Sequence, residues 1–311
     1  MYNSSILLSV SSQARSLCSQ RASDKHRFFV GTCSLHDPNE LSLLQYSEDA
    51  HHLETISTFN HTDHVMAIES SPRDDQLVVT SRLAVNGDQA VTIWRLGDLS
   101  ALTRQEDIGY NDEVSNLELS DVVSFNQSKG PSQPVGSLKW HKSKESILMS
   151  DSKSASVWNI DEGRVGCEGL FPLNDSSSAD VYSGGSLFPG SVSWDPHCPH
   201  NFSMSSNNHL SIMDLRKSGA SQIRKDAHSG AIRDVDFNPN KPLLLLTAGN
   251  DRKIRFWDLR TLKLPVKVLD GHSHWVTAAR FNPFHDQLVL SGGSDHVVNL
   301  WRIASCSSSP W

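Results

Sequence analysis

His228-Ser-Gly-Ala-Ile-Arg-Asp-Val-Asp-Phe-Asn-Pro239 and His272-Ser-His-Trp-Val-Thr-Ala-Ala-Arg-Phe-Asn-Pro283 are two copies of one pattern. A short apolar run follows each, Leu243 to Ala248 and Leu288 to Ser291. Next come the acidic turns Asn250-Asp251 and Ser294-Asp295, then the segments Ile254 to Trp257 and Val297 to Trp301. His228 to His272, Pro239 to Pro283, Asp251 to Asp295 and Trp257 to Trp301 are each separated by 44 residues. The runs are too short for helices and are bounded by Asn-Pro, Gly-Asn-Asp and Gly-Gly-Ser-Asp turn signals. Several short strands within such a period predict an all-β chain in which each repeat supplies one four-stranded propeller blade.

The units resemble WD repeats: Gly271-His272 opens one and Trp257-Asp258 closes the other. The resemblance implies that a buried Trp donates its indole N–H into a chain running through Ser or Thr and His to the turn Asp. Carried onto this sequence, the two chains are His228, Thr247, Asp251, Trp257 and His272, Ser291, Asp295, Trp301. The physical need is plain, because a buried indole N–H must find an acceptor and a buried carboxylate must be hydrogen-bonded. The same residue types could be read as a Ser-His-Asp catalytic triad. Their recurrence at one spacing favours architecture, which needs the set in every blade, over catalysis, which needs it once.

Weaker copies lie upstream. His61 to Pro72 repeats the His-to-Pro spacing, and Thr80, Asp88 and Trp94 are predicted to complete that blade around an enlarged turn. A third blade runs through Trp140 to Trp158 with Ser152 where the turn Asp is expected. A fourth, around Gly190 to Arg216, has Asn207 at the Asp position and Met213 in place of Trp. The first is recognisable from the strands Phe28 to Gly31 and Leu41 to Tyr46. Six blades are thus expected within a single domain, at about 14–49, 51–99, 115–163, 187–216, 226–261 and 270–303. Polar insertions are expected at 109–134 and 173–185, as solvated mobile loops or, in the serine-rich second, a phosphorylated regulatory loop.

Composition narrows the function classes. Net charge is −7, which does not favour nucleic acid as a partner, and eight Trp against four Tyr suit a repeated structural Trp. The cysteines at 18, 33, 167, 198 and 306 are odd in number and form no CxxC pair, so a reducing compartment fits better than a disulfide framework. No apolar run reaches the roughly 18 residues of a membrane span, and the first ten residues make a poor signal peptide. His197-Cys-Pro-His200 lacks a second ligand pair and reads as a turn, so no metal or cofactor is expected. The ten Lys and Arg between Arg224 and Lys267 are interspersed with Asp, which reads as mixed charge on blade edges. No phosphate-binding or nucleophile-elbow motif occurs, and the chain is not expected to be an enzyme or to bind a small-molecule substrate.

A closer resemblance rests on Phe29-Val-Gly-Thr-Cys-Ser-Leu35, Phe237-Asn-Pro-Asn-Lys241, Val266 to Leu269, His272-Ser-His-Trp275 and His285-Asp-Gln-Leu-Val-Leu-Ser-Gly292. These stretches are similar to the EARP-and-GARP-complex-interacting family of WD-repeat proteins. That resemblance implies a noncatalytic adaptor binding a multisubunit vesicle-tethering complex in endosomal recycling and endosome-to-Golgi transport. It also implies a cytoplasmic location, peripheral to endosomes and the trans-Golgi network, without membrane insertion. The family's seventh, C-terminal blade has no counterpart after Trp301, so either six blades close a ring or the last blade is missing.

In WD proteins partners dock where the innermost strands begin and just before the turn Asp. The resemblance places His64, Met66, Ala231, Arg233, Trp275, Thr277, Asn250 and Ser294 there. Trp275 is the leading candidate, since an exposed Trp is a frequent interface anchor and this one is not the inter-blade Trp301. A second reading rests on Asp-Leu-Arg, present at Asp214 to Arg216 and at Asp258 to Arg260. It resembles the motif by which some WD proteins serve as substrate receptors of cullin-4 ubiquitin ligases, although such pairs also form ordinary blade-edge ion pairs.

Overall fold

A computed structural model describes residues 8, 10, 12–61, 63–97, 119–126, 134–151, 154–161, 164–172, 190–217 and 219–304. Among these, the regular structure is β-strand without an α-helix. The first sheet holds β1 (Ala14–Ser19), β2 (His26–Thr32), β3 (Asn39–Ser47) and β4 (His52–His61) in that order. The second holds β5 (His64–Ser70), β6 (Leu77–Leu83), β7 (Gln89–Leu96) and β8 (Leu119–Asn126). The third holds β9 (Ser137–Trp140), β10 (Ser146–Ser150), β11 (Ser154–Asp161) and β12 (Arg164–Pro172). The fourth holds β13 (Val192–Trp194), β14 (Asn201–Ser206), β15 (His209–Asp214) and β16 (Ala220–Arg224). The fifth holds β17 (Ile232–Phe237), β18 (Leu244–Gly249), β19 (Lys253–Asp258) and β20 (Lys267–Asp270). The sixth has three strands, β21 (Val276–Phe281), β22 (Leu288–Gly293) and β23 (Val298–Arg302).

Each sheet is an antiparallel meander, the blade arrangement that the 44-residue period predicts, but its limits differ from the expected ones. The strand preceding each landmark His belongs to the preceding sheet: β4 pairs along β3 from Ser47↔His52 to Asn39↔His61, and β20 pairs with β19. The expected unit at 51–99 therefore begins one strand before the second sheet, and the expected unit at 226–261 stops short of β20. The expected insertion at 109–134 is also corrected in part. Residues 119–126 form β8, the outer strand of the second sheet, and pair with β7 from Leu96↔Leu119 to Ala90↔Asn126. They complete a ladder that β7 would otherwise leave open. Residues 109–118, 127–133 and 173–185 lie outside the described residues.

The chain divides into two compact units, Met1–Glu145 with Ile160–Gly166, and Ser146–Asn159 with Cys167–Trp311. In the first, Phe29, Leu41, Leu43 and Phe59 of the first sheet pack on Val65, Ile68 and Val78 of the second. In the other, Leu246, Ile254 and Phe256 of the fifth sheet pack on Val276, Ala279, Phe281 and Val289 of the sixth, with Phe256 and Phe281 edge-to-face at 5.9 Å. In β19 Ile254 and Phe256 alternate with Lys253 and Arg255, whereas β18 is buried along its length, and full burial of one such apolar side chain contributes roughly 1.5–3 kcal/mol.

Candidate functional site

The two predicted chains have closely matching geometry. Trp257 Nε1 donates to Thr247 Oγ1 at 2.8 Å, and His228 Nε2 lies 2.6 Å from the same oxygen. His228 Nδ1 then meets Asp251 Oδ1 at 2.8 Å. In the sixth sheet Trp301 Nε1 reaches Ser291 Oγ at 2.8 Å, His272 Nε2 reaches it at 2.8 Å, and His272 Nδ1 meets Asp295 Oδ2 at 3.0 Å. The hydroxyl accepts from the indole, so its own hydrogen points at Nε2, and the imidazole proton sits on Nδ1 facing the carboxylate. Every donor in the chain is thereby committed. Thr247 is fully buried and Ser291 nearly so, which leaves neither hydroxyl within reach of a substrate.

Electrostatics follow from burial. Burial pushes the His228 pKa down, against the pull of Asp251. For Asp251, burial works upward, but His228 and Arg255 outweigh it and hold the carboxyl well below the usual range. Burial also opposes ionisation of Asp295, yet hydrogen bonds from the Ser273 N–H, His272 and the Val297 N–H hold its pKa at about 2. Two glycines make room for this network. A Cβ on Gly271 would stand 2.7 Å from the Trp301 ring, and one on Gly293 would stand 2.6 Å from Asp295 Oδ1.

The weaker blades depart from the pattern in specific ways. In the second sheet Trp94 Nε1 donates to Thr80 at 2.8 Å and His61 Nε2 lies 3.4 Å from it, but His61 Nδ1 meets the backbone oxygen of Asp63 at 2.9 Å. The expected partner, Asp88, instead stays within its own turn, where its N–H bonds Asn86 Oδ1 and its carboxylate accepts from Asn86 Nδ2. The four extra residues of that turn carry it away from the imidazole. In the third sheet Trp158 Nε1 donates to Ser156 at 2.9 Å, because buried Met149 occupies the position that Thr247 fills in the fifth. Ser152 lies outside the described residues, and its neighbour Asp151 accepts from the Ser154 N–H. In the fourth sheet Asn207 adopts φ +48° in the turn, a conformation Asn tolerates well, and Met213 is buried.

The candidate contact residues coincide with a feature not legible in sequence. The innermost strand is bulged between Val65 and Ala67, between Ile232 and Asp234, and between Val276 and Ala278. The residues at these bulges are Met66, Arg233 and Thr277. A bulge re-aims a side chain away from the ladder, and here it falls at the corresponding point in three blades. The first sheet has the same irregularity between Ala14 and Ser16, so Arg15, which the sequence reading passes over, joins the set. Trp275 is 40% exposed. Its carbonyl accepts the Ser294 N–H at 2.9 Å, and the His274 ring lies tilted against its indole at 5.0 Å while meeting Ser294 Oγ at 2.6 Å. Ala231 and Asn250 form the corresponding pair in the fifth sheet, at 2.8 Å, and Asn250 Oδ1 is buried with no partner among the described residues. His64 and Met66 are half-buried at the start of β5.

Other carboxylates join successive blades through their inner strands. Asp234 accepts from Ser191 Oγ at 3.0 Å and from the Ala279 N–H at 2.9 Å, and Asp236 accepts from the Phe281 N–H at 2.9 Å. Glu69 pairs with Arg21 at 2.9 Å and Lys139 at 3.2 Å. The signal available in sequence was the Asp-Val-Asp at Asp234 to Asp236, two carboxylates between buried Ile232 and Phe237. In the Asp-Leu-Arg segments, Arg216 forks onto Asp214 with two bonds of 2.9 Å, and Arg260 closes on Asp258 in the same way. Each guanidinium lowers the pKa of its own Asp.

Known proteins share this chain's pattern. The EARP and GARP complex-interacting protein 1 of Homo sapiens is 29% identical over 269 residues, covering 83% of this chain and 66% of that protein. The EARP-interacting protein homolog of Gekko japonicus is 29% identical over 268 residues with the same coverage. The WD repeat-containing protein DWA2 of Arabidopsis thaliana is 29% identical over 260 residues, covering 83% of this chain and 67% of that one. The chain thus spans 66% of the length of the human and gecko relatives, just under two thirds. The family model described as EIPR1 beta-propeller matches residues 2–301. The chain belongs to the EIPR1 beta-propeller family.

Proposed function

We propose that this chain is a noncatalytic interaction adaptor whose partner is a multisubunit vesicle-tethering complex. The setting is endosomal recycling and endosome-to-Golgi transport, on the cytoplasmic side of endosomes and the trans-Golgi network. The observation that carries this reading is the repeated bulge that re-aims Met66, Arg233 and Thr277 at the starts of inner strands, with exposed Trp275 beside one of them. An exposed aromatic ring is a frequent anchor of protein interfaces, while the buried networks serve architecture. The partner's identity draws on the relatives, whose names record interaction with the EARP and GARP complexes.

Affinity capture with mass spectrometry tests the proposal. Wild type is expected to retain tethering subunits, and Trp275→Ala to lose at least about tenfold of them, as for an interface hot spot, with an unchanged melting temperature. Undiminished capture by Trp275→Ala would remove this site. Capture of a cullin and its adaptor in place of tethering subunits would favour the ligase reading, and Arg216→Ala with Arg260→Ala would then locate the contact.

A further inference from the structure

The outer rim of the fifth sheet differs in charge from the chain as a whole. Net charge is −7 overall, yet Leu259 to Leu269 contains no acidic residue and three cations, Arg260, Lys263 and Lys267. Three aliphatic side chains stand among them: Leu264 is 74% exposed, Val266 56% and Val268 40%. The segment is firmly held. Val266 N–H bonds the Phe256 carbonyl at 2.8 Å, β20 pairs with β19, Leu262 packs against the core between the fourth and fifth sheets, and Leu269 against that between the fifth and sixth. Pro265 stiffens the turn between them. Two leucines thus anchor the rim while Leu264, Val266 and Val268 project outward. Arg260 is taken up by Asp258, and Lys253 faces Asp270 at 3.7 Å. Lys263 and Lys267, both exposed, flank the aliphatic side chains.

We propose that this rim binds an anionic lipid surface peripherally. Leu264, Val266 and Val268 enter the headgroup boundary while Lys263 and Lys267 pair with headgroup charge. Aliphatic side chains on a projecting turn bring apolar area without directional demands, as a fluid interface requires. Lysines supply mobile point charges on flexible stems, whereas a fixed anionic site on a protein favours the planar fork of arginine. Each lysine near such a surface contributes about fivefold to binding. The inference is independent of the tethering-complex reading, because it concerns a different edge and a different partner.

Flotation of the full chain with phosphatidylserine vesicles, against phosphatidylcholine vesicles, tests it. Wild type is expected to float with the anionic vesicles at low salt, to float less at high salt, and to remain behind with the neutral ones. Lys263→Glu with Lys267→Glu is expected to reduce binding more than tenfold, and Leu264→Ser with Val266→Ser to reduce it severalfold. All four positions are exposed, and an unchanged melting temperature shows that the fold is intact. Failure of wild type to float with anionic vesicles at low salt overturns the proposal, as does undiminished binding by both double variants. Equal competition by soluble polyglutamate would assign the rim to an acidic protein segment and also overturn it.

Discussion

The fifth and sixth sheets carry apolar residues at matching places and meet opposite surroundings. Leu246 is fully buried and its counterpart Leu290, 44 residues on, is 52% exposed. Ile254 is 1% exposed against 69% for Val298, and Phe256 is fully buried against 69% exposure for Leu300. The strand alternation is identical, so the difference comes entirely from the neighbour. The sixth sheet covers that face of the fifth with Val276, Ala279, Phe281 and Val289. An apolar residue in a strand states that its side chain can be buried; whether it is buried depends on the element beside it.

The comparison breaks most visibly under truncation. Phe256→Ala removes a ring packed edge-to-face on Phe281 and is expected to cost about 3–5 kcal/mol. Leu300→Ala, at the matching position, is expected to stay within about 0.5 kcal/mol. Urea unfolding of the two variants measures both. A Leu300 variant as damaging as the Phe256 one would mean that the sixth sheet's outer face is covered in solution.

A smaller contrast lies in the hydrogen-bonded chains. Thr247→Val keeps the shape but leaves the indole N–H of Trp257, which is 1% exposed, without an acceptor. The expected cost is about 1–3 kcal/mol. Ser291→Ala removes the same acceptor from Trp301, but that ring is only half-buried, so a smaller loss is expected. Equal losses in thermal unfolding would show that the two indoles are equally shielded.

Much of this was legible in the sequence where the period is exact. The landmark residues of the fifth and sixth sheets predict a chain from Trp to Asp because each carries a polar group that burial obliges to pair. Legibility failed where the pairing partner is set by the course of the backbone. Nothing in the sequence says that Asp88 is carried off by its turn or that the Asp63 carbonyl takes its place against His61. Nor does Leu119–Asn126, half apolar but set in a longer polar stretch, announce itself as a strand, since an outer strand is selected by the edge it satisfies. The inner-strand bulges were hidden for a related reason. They shift the pairing by one residue without a glycine to mark them, so the positions of Met66, Arg233 and Thr277 followed from the WD resemblance, and Arg15 was missed.

Acid provides the gentlest way to separate the components of the fifth sheet's chain. Burial holds His228 neutral, with its pKa below the ordinary 6.5, and does the same to His61. Below about pH 6.5 the unfolded chain takes up protons at these sites and the folded chain does not. Their contribution is therefore complete above that pH and falls away as pH drops from 6.5 toward the lowered folded values. The carboxylates act in a lower window. Asp295, held at about 2, contributes fully above the ordinary carboxylate range and loses that contribution only as pH falls toward 2. Between pH 7.5 and 5 the urea midpoint is thus expected to fall through His228 and His61. Hydrogen-exchange protection, taken relative to the slower intrinsic exchange at low pH, is expected to fall first at the amides of β17 to β19, where His228 is locked between Thr247 and Asp251. A midpoint that stays level across that interval would require His228 to accept a proton inside the fold, which its hydrogen bond from Thr247 forbids unless that bond is broken.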